Sequence, residues 1–270
     1  MSLVSVIMSV FNTEERALRQ AIDCVLSQSL EDFELIIVDD GSTNSAFDII
    51  SEIAAKDQRV TVIRHELNMK AAYARNRCIS VSRSHYVAIM DSDDYCARDR
   101  LRTQMAFLDL HPQIDFVGTA AWLFDEHGVW GRRTCPPSPL ARDFLFVLPF
   151  VHASLMFRKD ALEAVGNYRS TRVTRRTEDY DLLMRMYAHG SKGANLSEPL
   201  YSVREDREAL RRRKYAYRID EAWIRYQGFR TLGLLPRGIP YVIKPLVVGV
   251  IPAWALSRLK DRRYNRRFGK

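Results

Sequence analysis

Asp91-Ser92-Asp93 sets two carboxylates one residue apart after an apolar run, and Asp39-Asp40-Gly41-Ser42 follows a second such run. Hard carboxylate oxygens suit Mg²⁺ or Mn²⁺, and one or two of them hold the ion while phosphate oxygens complete its shell. On an extended chain alternate residues face one side, so Asp91 and Asp93 can address one ligand while Ser92 turns away. A third acidic pair, Glu178-Asp179, opens a segment of helical periodicity. A carboxylate there can act as a general base or simply complement the helix dipole. Asp39, Asp40 and Ser42 can likewise build a turn or cap the next helix. Arg75 can approach a diphosphate or form an ion pair.

The elements that must position these groups follow from periodicity. Residues 4–10, 33–38, 60–64 and 86–90 are short runs rich in β-branched residues and read as strands; 14–30, 45–55 and 71–82 read as helices between them. This β-α-β-α-β-α-β order implies a parallel sheet with helices on both faces, whose ligands bind at the carboxyl ends of the strands. Both acidic clusters stand at such ends. Beyond a helix at 98–110, residues 114–124 and 129–133 read as strands around a turn, the start of an antiparallel extension. Asp160-Ala161-Leu162-Glu163 has the form of a capping box with Asp160 as cap, and Gly166 is placed to stop that helix. A last helix spans about 178–189, ends at Gly190 and holds Asp179 in its first turn.

Five segments, in order, resemble the inverting glycosyltransferases of family 2. They are Ser5 to Asn12, Ile36 to Thr43, Ala74-Arg75-Asn76, Met90 to Asp94, and Glu178-Asp179-Tyr180-Asp181-Leu182. The resemblance implies a GT-A fold: a Rossmann-like nucleotide-binding sheet with a mixed acceptor-side extension, followed by a C-terminal helical segment. It implies a nucleotide-sugar donor, UDP-linked, held by Val10, Asn12, Asp39, Asp40, Arg75 and Asp91. Asp39 would accept the N3–H of uracil, Asp91 would lie near the ribose or the metal, and Asp93 would coordinate Mn²⁺ or Mg²⁺ across the diphosphate. Asp179 would take the proton from an acceptor hydroxyl, with Glu178 orienting it or the acceptor. His152 is similar to an acceptor-side element of some members, or is a satisfied core histidine. The chain departs from the family at Met69-Lys70, where members often carry glycine after the residue matching Asn68. Asn44 replaces a frequent Asp. Gln227-Gly228-Phe229-Arg230-Thr231 partly matches the Gln-x-x-Arg-Trp element of processive synthases but lacks its Trp, which favours addition of a single sugar.

The chain has 270 residues, 47% of them hydrophobic and 27% charged, which excludes disorder as its main state. Its net charge of +8 is uneven: residues 204–270 hold 18 basic and 6 acidic residues, against 23 and 27 in residues 1–203. The basic blocks 211–214 and 262–267 bracket the apolar stretch 238–257, in which Lys244 is the one charged residue, a pattern that fits an anionic membrane surface with Tyr241 and Trp254 at the interface. Pro245, Pro252 and Lys244 argue against a span, and the absence of a nucleic-acid motif argues against nucleic acid as partner. The likeness of Lys244 to Gly249 to the C-termini of bacterial surface-polysaccharide transferases extends the resemblance to a lipid-linked glycan acceptor.

The expected organisation is a GT-A domain over 1–204 and a C-terminal helical membrane-association segment over 205–270. The N-terminus reads as a strand rather than a secretory leader, and Cys24, Cys78, Cys96 and Cys135 lack metal spacing, so a cytoplasmic protein peripheral to the plasma membrane is expected. Two other readings stay open: a sugar-1-phosphate nucleotidyltransferase, which would want a basic Gly-rich loop where Phe11 to Glu15 is acidic, and a catalytically silent binding module. The lack of a GxGxxG after the first strand argues against a dehydrogenase.

Overall fold

In the computed structural model, residues 3–205 and 215–250 are described. Strands β1 (Val4–Val10), β2 (Phe33–Asp39), β3 (Val60–Arg64) and β4 (Tyr86–Asp91) alternate with helices α1 (Glu15–Leu26), α2 (Ala46–Ala54) and α3 (Ala71–Val81). The four strands pair in parallel in the order β3-β2-β1-β4. Register decides what they carry: β1 sets Val10 opposite Asp39 on one side and Ser9 opposite Asp91 on the other. Both acidic clusters therefore end neighbouring strands on one edge, as strand-end logic requires.

The period of two fills both faces of the sheet. Val4, Val6, Met8 and Val10 of β1 join one apolar cluster with Leu18 and Ile22 of α1, while Ile7 joins a second with Cys78 and Ile79 of α3. Each large side chain buried this way contributes about 1.5–3 kcal/mol. α1 starts where Glu14 accepts the Arg16 and Ala17 N–H groups at 3.0 and 3.1 Å, a side-chain cap. It stops at Leu26, four residues earlier than its periodicity predicts, because residues 27–32 form the turn into β2.

The second half comprises β5 (Tyr95–Cys96), α4 (Arg100–Leu110), β6 (Phe116–Asp125), β7 (Gly128–Arg133), β8 (Met156–Arg158), α5 (Lys159–Ala164), α6 (Glu178–Ala188) and β9 (Gly193–Arg204). Two helices follow, α7 (Tyr215–Thr231) and α8 (Ile239–Val250). The sheet continues from β4 as β8-β6-β9-β5, with β7 on β6. The extension is mixed, as the resemblance implies, and not antiparallel throughout as its first strands suggest. β7 and β8 run antiparallel to β6, but β9 runs parallel to it, since α5 and α6 return the chain to the starting side. Strands β5, β8 and β9 are too short or too irregular to carry a clear period.

Three local expectations change. The Asp160 capping box does not form: the cap position of α5 is Arg158, Asp160 lies in the first turn, and Glu163 pairs with Lys159 at 3.6 Å. Gly166 does end that helix, at φ +75°. Pro245 does not break its segment but sits inside α8, and Tyr241 turns toward the second cluster rather than outward. Trp254 and the basic blocks 211–214 and 262–267 lie outside the described residues. None of the described helices is long and apolar enough to cross a membrane. Cys24 and Cys96, far apart in sequence, meet with their sulfurs 3.5 Å apart between α1 and β5.

Candidate active site

A cavity of about 560 Å³ opens at the carboxyl ends of β1 and β4. Ser9, Phe11, Asn12 and Thr13 form one wall, and Asp91, Ser92 and Asp93 the opposite one. Ala71 and Arg75 of α3 and Arg204 at the end of β9 complete it. The acidic wall is a turn rather than an extended chain: Asp91 ends β4, Ser92 and Asp93 are turn residues, and the Asp94 N–H reaches the Asp91 carbonyl at 3.4 Å. Strand alternation thus does not operate there. Ser92 lines the cavity instead of turning away, its Oγ 2.7 Å from Thr13 Oγ1.

That turn is braced from β9. The Arg204 N–H donates to Asp94 Oδ1 at 2.7 Å, and the Asp91 N–H donates to the Tyr201 hydroxyl at 3.1 Å. Burial, with Asp91 and Asp93 beside it, holds the Asp94 carboxyl well above the usual carboxylate range. Burial and the neighbouring Asp91 also raise Asp93. Arg204 and Tyr201 escape sequence reasoning because they stand 110 residues from their partners with no spacing signal. Arg204 also stacks its guanidinium over Phe124, 5.3 Å from the ring centroid.

Arg75 joins the two chemical halves of the site. It is buried, with one amino group 2.9 Å from Asp91 Oδ1 and the other 3.4 Å from Glu178 Oε1. Burial opposes its charge, and Asp91, Tyr168 and Glu178 overcome that opposition and raise its pKa, so it stays cationic. Of the two roles left open, the ion pair forms, and it is buried rather than in solvent. Asp179 follows Glu178 in the first turn of α6, where its Oδ1 accepts the Tyr180 N–H at 2.8 Å. Burial, then repulsion from Glu178, pushes the Asp179 carboxyl up to about 6. A carboxylate tuned toward neutrality is what general-base chemistry favours. His152 is held neutral, its pKa lowered by burial to about 3, with Nε2 2.8 Å from the Tyr168 hydroxyl. Tyr168 in turn lies under Arg75, 5.7 Å from ring centroid to guanidinium.

The β1 and β2 ends form a second layer behind the cavity wall. Asp39 is fully buried, with Oδ2 3.3 Å from the Ser42 N–H and 3.6 Å from Arg64 Nε, while Oδ1 has no partner among the described residues. A buried carboxylate oxygen without a donor is costly, and a ligand N–H would relieve it. Asp40 serves its own loop: Oδ1 binds His65 Nδ1 and the Met69 N–H, and Oδ2 the Lys70 N–H at 2.7 Å. Asn12 ties β1 to β2 by accepting the Thr43 N–H at 2.8 Å, at φ +52°. Val10 buries its side chain in the core and gives its carbonyl to the Asp40 N–H. The structure brings Asn12, Arg75, Asp91 and Asp93 to one cavity, links Glu178 to it through Arg75, and leaves Val10, Asp39 and Asp40 beneath the wall.

Among the described residues no group of three or more His, Cys, Asp or Glu side chains could hold a metal alone. Asp91 and Asp93 fit the other arrangement, in which one or two carboxylates hold a hard divalent ion and diphosphate oxygens supply the rest. The raised pKa of Asp93 marks a site that a cation would stabilise.

Comparison with known proteins decides the family. The model of glycosyl transferase family 2 matches residues 5–181. The chain belongs to this family. It is 40% identical over 261 residues to the putative glycosyltransferase EpsE of Bacillus subtilis, covering 96% of this chain and 94% of that one. It is 35% identical over 137 residues to WfaP of Escherichia coli, a UDP-Glc:alpha-D-GlcNAc-diphosphoundecaprenol beta-1,3-glucosyltransferase, covering 51% of this chain and 53% of that one. In fold it is similar to S. aureus TarS 1-349 in complex with UDP, with a TM-score of 0.70 at 18% identity, over 95% of this chain and 78% of that one. The glycosyltransferase thus has the GT-A fold that its motifs imply.

Proposed function

We propose that this family 2 glycosyltransferase moves one sugar from a UDP-sugar to a lipid-linked glycan acceptor, with inversion, in surface polysaccharide synthesis on the cytoplasmic side of the plasma membrane. The observation that carries the reading is Arg75, whose guanidinium holds Asp91 of the acidic turn and Glu178 of the α6 pair in one buried network. It couples a phosphate-facing cavity to a carboxylate pair whose second member, Asp179, is pushed up to about 6. The UDP bound by TarS and the UDP-Glc donor and diphosphoundecaprenol acceptor in the name of WfaP support the donor and acceptor classes.

Asp39 Oδ1, buried and without a partner among the described residues, accepts the N3–H of uracil. Asp91 and Asp93 would hold one Mn²⁺ or Mg²⁺, which would supply positive charge against that growing on the departing nucleoside diphosphate. Asp179 takes the proton of the acceptor hydroxyl as that oxygen attacks the anomeric carbon from the face opposite the diphosphate. The C–O bond to the diphosphate breaks with its electron pair, and one displacement inverts the centre. Arg75 stays protonated, screens Glu178 from Asp91 and fixes Glu178 beside the base. Asp40, Asn12 and Val10 hold the donor loops rather than the donor, and His152 supports Tyr168 beneath Arg75 as a neutral imidazole.

The test is donor binding and turnover across UDP-, GDP- and dTDP-sugars with Mn²⁺, Mg²⁺ or chelator. Metal-dependent preference for one UDP-sugar is expected. Binding of no nucleotide sugar under any of these conditions would make the acidic cavity structural.

A further inference from the structure

The basic C-terminal region is described over two helices, and their outward faces have an unusual composition. α7 exposes Tyr215, Ile219 and Trp223, and α8 exposes Ile239, Ile243 and Val247, in both cases at steps of four residues. These six side chains are each between 38 and 53% exposed, where helices of a soluble domain place charges. The helices form one hairpin: Gly249 of α8 lies against Tyr215 and Arg218 of α7, and Gly238 lies against Phe229, which is fully buried in the core. Phe146 and Val147, both more than half exposed, add apolar surface beside the hairpin, with Phe146 edge-on to Tyr241 of α8 at 5.2 Å.

Charge on the hairpin is sorted. Its acidic residues face inward: Asp220 is buried, and Glu221 pairs with Arg225 at 3.2 Å and Arg218 at 3.5 Å. Arg230, Arg237 and Lys244 remain exposed, and neither helix exposes a carboxylate. The surface is thus apolar with a purely cationic complement.

We propose that the outer face of the α7–α8 hairpin docks on an anionic lipid bilayer, lying in the headgroup layer and setting the α6 carboxylates beside the membrane surface. Apolar side chains at helical spacing enter the acyl boundary while Lys and Arg meet headgroup phosphates. A second copy would present the same cations to this face, so like charge opposes self-association there. The hairpin is also well placed for catalysis, because α7 packs directly on the helix that holds Glu178 and Asp179. Arg225 lies over the Tyr180 ring at 5.0 Å, and Gly228 closes on Met184. The value of this placement rests on the reading above that the acceptor is lipid-linked.

The experiment is flotation of the full chain with phosphatidylglycerol or phosphatidylcholine vesicles, with UDP binding measured on the same samples. The wild type should float with the anionic vesicles. An Ile219→Ser/Trp223→Ser/Ile243→Ser variant should lose at least about tenfold in partitioning, while UDP affinity stays unchanged. An Arg237→Gln/Lys244→Gln variant should float less with the anionic vesicles and no less with the neutral ones. Undiminished flotation of the triple variant would overturn the proposal, as would a wild type that binds UDP but no vesicle. A dimer dispersed by the triple substitution in the absence of lipid would also overturn it, assigning the face to a second copy. A chain that floats through this face yet binds no UDP would support the docking surface and overturn the donor reading instead.

Discussion

At the scale of single residues, the site rests on carboxylates in unequal surroundings. Asp179 sits half-buried beside another carboxylate at about 6, so below that pH it holds its proton and cannot serve as the proposed base. Turnover should therefore fall about tenfold per pH unit below pH 6 and level off above it, read from a kcat/KM profile. Asp179→Asn should lower kcat by roughly 10²–10⁴ while UDP affinity holds. The same shift carries a stability signature. Because the folded pKa lies above the unfolded one, the protonated group favours the fold at low pH, and that contribution is lost as pH rises through about 6. Asp179→Asn should accordingly raise Tm at pH 8 and leave it near wild type at pH 4. Asp39→Asn, which weakens a charged acceptor, should cost at least about tenfold in UDP affinity by calorimetry. Asp39 was legible as a strand-end carboxylate; its missing partner was not, because burial depends on residues far along the chain.

At the scale of elements, the parallel β1–β4 unit follows from local periods, and its register brings Asp39 and Asp91 to one edge. The loop from β3 to α3 is where local rules are strained. Lys70 adopts φ +77° and ψ 158°, a backbone that glycine tolerates and lysine does not, and its N–H is held by Asp40 at 2.7 Å. The departure from the family's glycine next to Asn68 thus has a physical location. Lys70→Gly should relieve the strain and raise stability by about 1 kcal/mol in thermal unfolding. Gly41 is the converse case, at φ +75° with the Leu67 carbonyl carbon 2.9 Å from where a Cβ would stand. Gly41→Ala should destabilise by about 1–3 kcal/mol and loosen the loop that closes over Asp40. β5 and β8 were invisible in the sequence because two- and three-residue strands have no period to read.

At the scale of the whole molecule, the cavity joins residues from the N-terminal strand to Arg204, so donor binding should depend on all of its walls at once. With the proposed metal site, chelation should weaken UDP binding by about an order of magnitude or more, and Asp93→Asn should remove most of that chelator effect, since both would act on one ion. Such non-additivity distinguishes a shared metal from two independent losses.

The sequence by itself determined the sheet half, the strand-end positions of the acidic clusters and the helical start that carries Asp179, because periods of 2 and 3.6 are local properties of the chain. Its composition also marked the basic, apolar C-terminal region. Tertiary structure alone decided that Arg75 meets both Asp91 and Glu178, that Tyr201 and Arg204 brace a turn 110 residues away, and that the hairpin turns its carboxylates inward and its Ile and Trp side chains outward. Those outcomes depend on which helix face meets the sheet and on contacts between distant segments, and no local pattern encodes either.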